Sequence, residues 1–201
     1  MRRTCPGRTS PQGADPNDKN LLVEPSDHGI GRSRGGLTSK IHHLVDGRGL
    51  PLVVLVGPGQ AHDNPMLVHL LAHLRVERDG FGRPRTTPDR VRADKAYSAK
   101  NTRELLRRRH IKATIPQPSD QIRHRKNRGS AGGRPPAFDA EDYKGRHVVE
   151  GSFALVKQWR GLATRYDKLQ IVYRAGAVLN AIIHWLKALR NTPSYGGGGV
   201  K

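Results

Sequence analysis

The chain is 201 residues long, the size of one mid-sized domain with tails, and its 36 Lys and Arg against 17 Asp and Glu give a formal charge of +19. Such a surface seeks a polyanion, nucleic acid before others, and on charge alone a structural RNA-binding protein fits as well as an enzyme acting on DNA. A single cysteine, Cys5, excludes a disulfide framework and a cysteine zinc site, and no apolar run is long enough to span a bilayer, so a cytoplasmic protein with no membrane partner is expected.

Residues 1–39 are dense in Pro, Gly, Ser and Arg, with Leu21, Leu22 and Val23 as their one apolar run, and are expected to form a flexible, disordered basic arm. From Lys40 the pattern changes. Residues 40–45 and 50–56 are apolar runs on either side of Asp46-Gly47-Arg48-Gly49, which predicts a hairpin whose second strand is interior. Asn64 as a cap with Pro65 at the first helical position predicts a helix carrying Met66, Leu67, Leu70, Leu71 and Leu74 on one face. A Gly, Pro and Arg loop over 79–88 leads to a short strand at 89–94. Ser98 is a candidate cap for a basic helix to Arg109, and residues 111–115 predict another strand, stopped by Pro116.

This order of strands and helices is that of an α/β layer fold with a mixed sheet. Residues 117–138 read as a second loop in which Arg123, Arg125, Lys126, Arg128 and Arg134 are available to phosphate. Helices over 143–160 and 171–190 close the domain. The second reads as a core helix through Val172, Ala175, Val178, Leu179, Ile182, Ile183, Leu186 and Leu189, and residues 191–201 as a flexible tail.

The first of these helices carries the chemistry. Steps of three, four and seven residues bring Tyr143, Arg146, Glu150 and Lys157 within roughly 60° of one another around the helix. One carboxylate among two bases and a phenol is either a solvated stripe with an Arg146–Glu150 ion pair or a site that handles phosphate, and spacing alone does not choose. His69 and His73 stand at i, i+4 with His62 upstream, a metal-ligand spacing, but the Glu of a zinc-peptidase helix is missing between them and their neighbours are core leucines.

Tyr143, Arg146, Glu150 and Lys157 form the pattern Y-(2)-R-(3)-E-(6)-K, which resembles the signature of the DDE class of bacterial insertion-sequence transposases. Similar to that family too, and in its order, are the Asp-His-Gly-Ile-Gly-Arg-Ser-Arg-Gly-Gly-Leu-Thr-Ser-Lys-Ile-His run of residues 27–42, Gly59-Gln60-Ala61-His62-Asp63, Ala93-Asp94-Lys95-Ala96-Tyr97-Ser98, Gly132-Gly133-Arg134-Pro135-Pro136-Ala137-Phe138-Asp139 and the run from Trp159 to Lys168. The resemblance implies a ribonuclease-H-like mixed sheet flanked by helices over residues 40–190, and DNA, as element ends and target, for a partner. It implies Mg²⁺ as cofactor, two ions in a complete site, with Mn²⁺ able to stand in.

By position Asp94 is similar to the second catalytic carboxylate and Glu150 to the third, both of them metal ligands. Tyr143, Arg146 and Lys157 would then steady the scissile and flanking phosphates, with Arg125, Lys126 and Arg128 as further DNA contacts. The implied reaction is hydrolysis that frees a 3′-OH at the element end, followed by attack of that 3′-OH on target DNA.

The family's first catalytic Asp lies on an opening strand upstream of Arg34-Gly35-Gly36, and no such strand is legible here: Asp15, Asp18 and Asp27 sit among Pro, Gly and Ser, and Asp46 is in a turn. The fold is therefore expected to lack its first strand and the chain alone to be inactive or nearly so, the missing half coming from an upstream reading frame, by frameshift or as a separate chain, or being lost from a decayed gene. A homo-oligomer or an upstream-frame transposase half is the expected protein partner. Gly151 and Ser152 stand where relatives often carry Arg and Cys. The competing expectation, from a different class, is a non-catalytic DNA-binding remnant or inhibitor of full-length transposase.

Overall fold

In the computed structural model, which describes residues 23–78 and 80–191, three strands build an antiparallel sheet in the order β1-β2-β3: β1 (Gly31–Ser33), β2 (Gly36–Val45) and β3 (Pro51–Pro58). Asp46 closes the β2–β3 hairpin, its Oδ1 accepting from the N–H of Arg48 and of Leu50, each at 2.9 Å. Gly49 takes φ +88°, where a side chain is strained, and lies against the Val148 carbonyl. Ile41 faces Val56 and His43 faces Val54 across the ladder. As the unbroken Val-Val-Leu-Val run predicts, β3 is buried on both faces.

Val53 and Leu55 meet Leu70 and Leu74 in and beyond α1 (Asp63–Ala72). Val54 and Val56 meet Tyr173, Ala177 and Ala181 of the last helix, α7 (Gln170–Arg190). Three side chains of α7 also reach the backbone of β3: Gln170 donates to the Val56 carbonyl at 2.6 Å, Arg174 to that of Val54 at 3.1 Å, and Trp185 to that of Pro51 at 2.8 Å. The helix thus covers an edge strand that would otherwise present unpaired carbonyls.

A second sheet pairs β4 (Arg90–Arg92) with β5 (Lys112–Thr114) in parallel, joined through α2 (Lys100–Arg108). Leu106, wholly buried, packs with Val91, Ile111, Ile115, Leu67 and Leu71 between this sheet and α1. The α/β class stands, but the strands do not join one sheet. On the edge of β2 away from β3, β1 pairs only as far as Thr38, so residues 39–45 have no strand partner there among the described residues, and β4 pairs on one side alone.

Four expectations need correction. Residues 24–39 belong to the fold rather than to an arm: they hold β1 and the start of β2, and Glu24 caps α7, accepting from the N–H of Gln170 at 2.8 Å and of Ile171 at 2.9 Å. The rest of the expected arm, 1–22, and the tail from 192 on lie outside the described residues. Residues 119–127, expected as loop, form α3 (Ser119–Asn127), whose acid in the first turn and bases in the last complement the helix dipole.

The helix expected over 143–160 is three: α4 (Ala140–Lys144), α5 (His147–Lys157) and α6 (Arg160–Ala163). Finally, Val172, Leu179, Ile182, Leu186 and Leu189, expected in the core, are exposed, because α7 turns the face with Tyr173, Ala177, Asn180 and Ala181 to β3. Two caps also differ: His62, not Asn64, precedes α1, and Ala99, not Ser98, precedes α2. Asn64 instead accepts from Thr102 of α2 at 2.8 Å.

Candidate active site

Asp94 leaves the sheet two residues after β4 and is exposed. Its carboxylate accepts from the Lys95 N–H at 2.6 Å and so opens the single 3-10 turn Lys95–Tyr97. Beside it the Tyr97 hydroxyl is pushed up to about 12, by burial first and then by the charges of Asp63 and Asp94, which leaves it a proton donor and not a base. Ser98 is buried; it donates to Gln121 at 3.0 Å and accepts from Arg103 at 2.9 Å, which ties α3 to the segment carrying Asp94.

Glu150 lies in the first turn of α5. Arg146 donates to it at 2.6 Å and also stands over the Tyr143 ring, 5.6 Å from its centre, while Tyr143 leans on Phe138. The break at Gly145-Arg146 tightens the backbone to i→i−3 bonds without scattering the stripe, so Tyr143, Arg146 and Glu150 are brought together. Lys157 is exposed at the far end of α5, apart from them. Arg125, Lys126 and Arg128 sit at the end of α3, Arg125 half-buried and the other two exposed.

One residue that the sequence did not single out positions this helix pair. Asp142, its side chain 5% exposed, accepts from Arg92 at 2.6 and 3.0 Å, from the Thr114 hydroxyl at 2.6 Å and from Arg90. It thereby clamps α4 to both β4 and β5. Gly145 completes the fit, since a side chain there would run into the Arg92 guanidinium. The hydrogen bonds of Arg92, then those of Thr114 and Arg90, hold the Asp142 carboxyl far below its ordinary 3.8.

Asp142→Asn should therefore destabilise the fold by about 2 kcal/mol, the two half-exposed arginines being left to face one another. The depressed value sets the sign: the contribution is complete above 3.8 and is lost as pH falls toward the folded-state value. Thermal unfolding of variant and wild type should differ most near neutrality and converge in strong acid; an equal gap at both would show that the carboxylate charge is not what stabilises.

On the other side, α5 is seated on β2. His43 stacks on Phe153 with ring centres 4.8 Å apart and planes 4° from parallel, and the Ser152 hydroxyl lies 3.4 Å from its Nδ1. Burial first, and His42 second, hold His43 down at about 4, so it is neutral near pH 7. Residues of both β2 and β4 line a cavity of about 550 Å³, Leu44, Val45, Val91 and Arg92 among them, together with Arg146 and Val149. Among the described residues no three His, Cys, Asp or Glu side chains are gathered to share a metal ion. The His69–His73 pair is no exception, for His73 Nδ1 is engaged with the His69 carbonyl at 2.8 Å.

A second unforeseen residue is Arg165, in the Ala-Thr-Arg-Tyr-Asp run. It donates to the carbonyls of His28 and Gly29 at 2.8 and 3.3 Å and packs over the Tyr173 ring at 5.2 Å, which ties the start of the chain's described part to α7. That run was legible as a motif, but nothing local to it announced its partners.

No helix among the described residues is long and apolar enough to cross a membrane. The profile of the transposase DDE domain family matches residues 11–186. Over 151 residues, 75% of this chain and 100% of the relative, the sequence is 32% identical to a protein of Brucella ovis ascribed to insertion sequence element IS6501 as its transposase. No solved structure matches. The Tyr143–Arg146–Glu150 constellation, the length matched by the profile and the identity to the Brucella protein together make this chain a member of the DDE transposase family of insertion sequences.

Proposed function

We propose that the chain is the carboxylate-bearing C-terminal part of a DNA transposase that hydrolyses a phosphodiester at each element end and transfers the freed 3′-OH to target DNA. In this reading the fold is ribonuclease-H-like, with Asp94 and Glu150 as the second and third catalytic carboxylates. A strand bearing the first Asp comes from a second polypeptide and enters between β2 and β4. The observation that carries the reading is the divided sheet. Two edges have no strand partner among the described residues and residues of both line a common cavity; α5 with Glu150 is anchored to one of them through His43, and α4 to the other, two residues before Asp94, through Asp142. A strand added there would lie between the two carboxylate-bearing segments.

Asp94 and Glu150 offer hard oxygen donors, the kind Mg²⁺ takes, and both are exposed enough to be rearranged by an ion. They fit the ion in type and fall short of it in number, which the incoming Asp would correct. When bound, the ions activate water and neutralise charge at phosphorus. The remaining tasks fall to this chain's own residues. Arg146, oriented by the Tyr143 ring and by Glu150, would present a planar fork to a phosphate. Lys157 supplies a point charge further along the DNA, and Arg125, Lys126 and Arg128 extend the basic surface.

The test is strand cleavage of a DNA carrying the element's own ends, with Mg²⁺, by this chain alone and by the chain mixed with the polypeptide encoded immediately upstream. Cleavage should appear in the mixture only. DNA binding in both samples with cleavage in neither would replace this reading with that of a non-catalytic DNA-binding protein.

A further inference from the structure

The helix α7 is apolar on two faces, of which the fold uses one. Tyr173, Ala177, Asn180 and Ala181 are buried toward β3. On the opposite side Val172, Ala175, Leu179, Ile182, Leu186 and Leu189 follow one another at steps of three, four, three, four and three, the a and d positions of a heptad. All six are exposed, the five larger ones by 48–63%. A single exposed leucine needs no explanation, whereas an uninterrupted seam of six is the pattern by which two helices pack.

We propose that α7 pairs with α7 of a second copy of this chain, antiparallel, about a two-fold axis that passes between Leu179 and Ile182. In that register Val172 meets Leu189 of the second copy, Ala175 meets Leu186, and Leu179 meets Ile182. Each layer thus sets a smaller or β-branched residue against a longer one. A parallel pair would set Ala175 against Ala175 and leave a void.

Charge selects the same direction. The helix carries no acidic residue, and Lys187 and Arg190 stand in its last turn. Antiparallel pairing opposes the two helix dipoles and keeps Lys187 and Arg190 of one copy away from those of the other, while parallel pairing stacks base on base.

No other part of this sequence suits the seam. Residues 1–22 contain one adjacent apolar pair, Leu21-Leu22, and residues 192–201 only Tyr195 and Val200, none of it repeating at helical spacing. The exposed seam offers on the order of 500 Å² of apolar surface per copy, and its half-buried flanks at Ile171 and Ile183 bring it toward the roughly 800 Å² per partner of a standard interface. Because β3 already holds the helix in shape, pairing costs no helix nucleation.

The test is sedimentation of the full, nuclease-treated chain at moderate and at high salt. The wild type should be dimeric and should associate more tightly as salt rises, because salt screens the repulsion between two copies each of charge +19. The pair Leu179→Lys with Ile182→Lys should weaken association at least about a hundred-fold. Its circular dichroism should not change, and its melting temperature should match that of the wild type diluted until it dissociates, since both side chains are exposed in the single copy. In a Cys5→Ser background, Val172→Cys mixed with Leu189→Cys should give a disulfide between copies that neither variant gives alone. A monomeric wild type, a dimer that salt dissolves as it would one bridged by nucleic acid, or self-linking of Val172→Cys would each overturn the proposal.

Discussion

On the proposed reading, Glu150→Gln is expected to lower strand cleavage by this chain together with its upstream half at least about a thousand-fold, some 4 kcal/mol of transition-state stabilisation, while leaving DNA binding intact or slightly tighter. The substitution is close to isosteric, and its site is well exposed, so neither packing nor α5 is disturbed. Gln still accepts from Arg146, which preserves that hydrogen bond. What it removes is a negative charge and a ligand oxygen suited to a hard cation. A carboxylate facing DNA also repels phosphate, hence the gain in affinity. Asp94→Asn should behave alike, because Asn still caps the turn that follows. Single-turnover cleavage and equilibrium binding on the same DNA would separate the two effects. Wild-type cleavage in Glu150→Gln would remove the residue from the catalytic set, and parallel loss of binding and cleavage would assign it a structural role.

Acidification from pH 6.5 to 4 is expected to cost the fold about 3 kcal/mol through His43 alone. In the unfolded chain this histidine protonates near its ordinary 6.5. In the folded chain it resists down to about 4, because the charged ring would have to sit between β2 and Phe153 with no acid beside it. The unfolded state therefore binds the extra proton throughout that window, and stability falls as pH falls. His42, lowered chiefly by burial and partly restored by Asp63, adds to the loss in the same direction. This window lies wholly above that of Asp142, so the two can be told apart by pH. Urea midpoints measured at neutral pH and at pH 5 should separate in the wild type and draw together in His43→Leu. An unchanged separation in that variant would place the acid sensitivity elsewhere. Since His43 is also what seats α5, a protein at the acid end of this range should lose the position of Glu150 before it loses its sheet.

What the sequence made legible and what it hid follow from how far each interaction reaches along the chain. The β2–β3 hairpin was readable because the Asp46 turn is closed by its own neighbours, and β3 because four successive apolar residues admit only a strand covered on both faces. The Tyr143–Arg146–Glu150 grouping was readable because helical spacing alone makes it, even across a broken helix. Asp142 was hidden: a lone acid near a helix start looks solvated, and its partners lie 50, 52 and 28 residues away in the chain. The register of α7 was misread for another reason. Periodicity tells which residues share a face, not which of two apolar faces turns inward, and here the inward one holds Ala177, Ala181 and Asn180, whose small size lets Gln170 and Arg174 reach the β3 carbonyls. Glu24 and Arg165 belong to the hidden class too, pairing ends of the fold more than 130 residues apart.

The three bonds from Gln170, Arg174 and Trp185 to β3 give the sheet a direction of growth. One border is sealed by side chains and the other stands open beyond Thr38. This three-stranded sheet can therefore grow at one border only, so copies can meet there in pairs but cannot chain through both of its borders into a fibre.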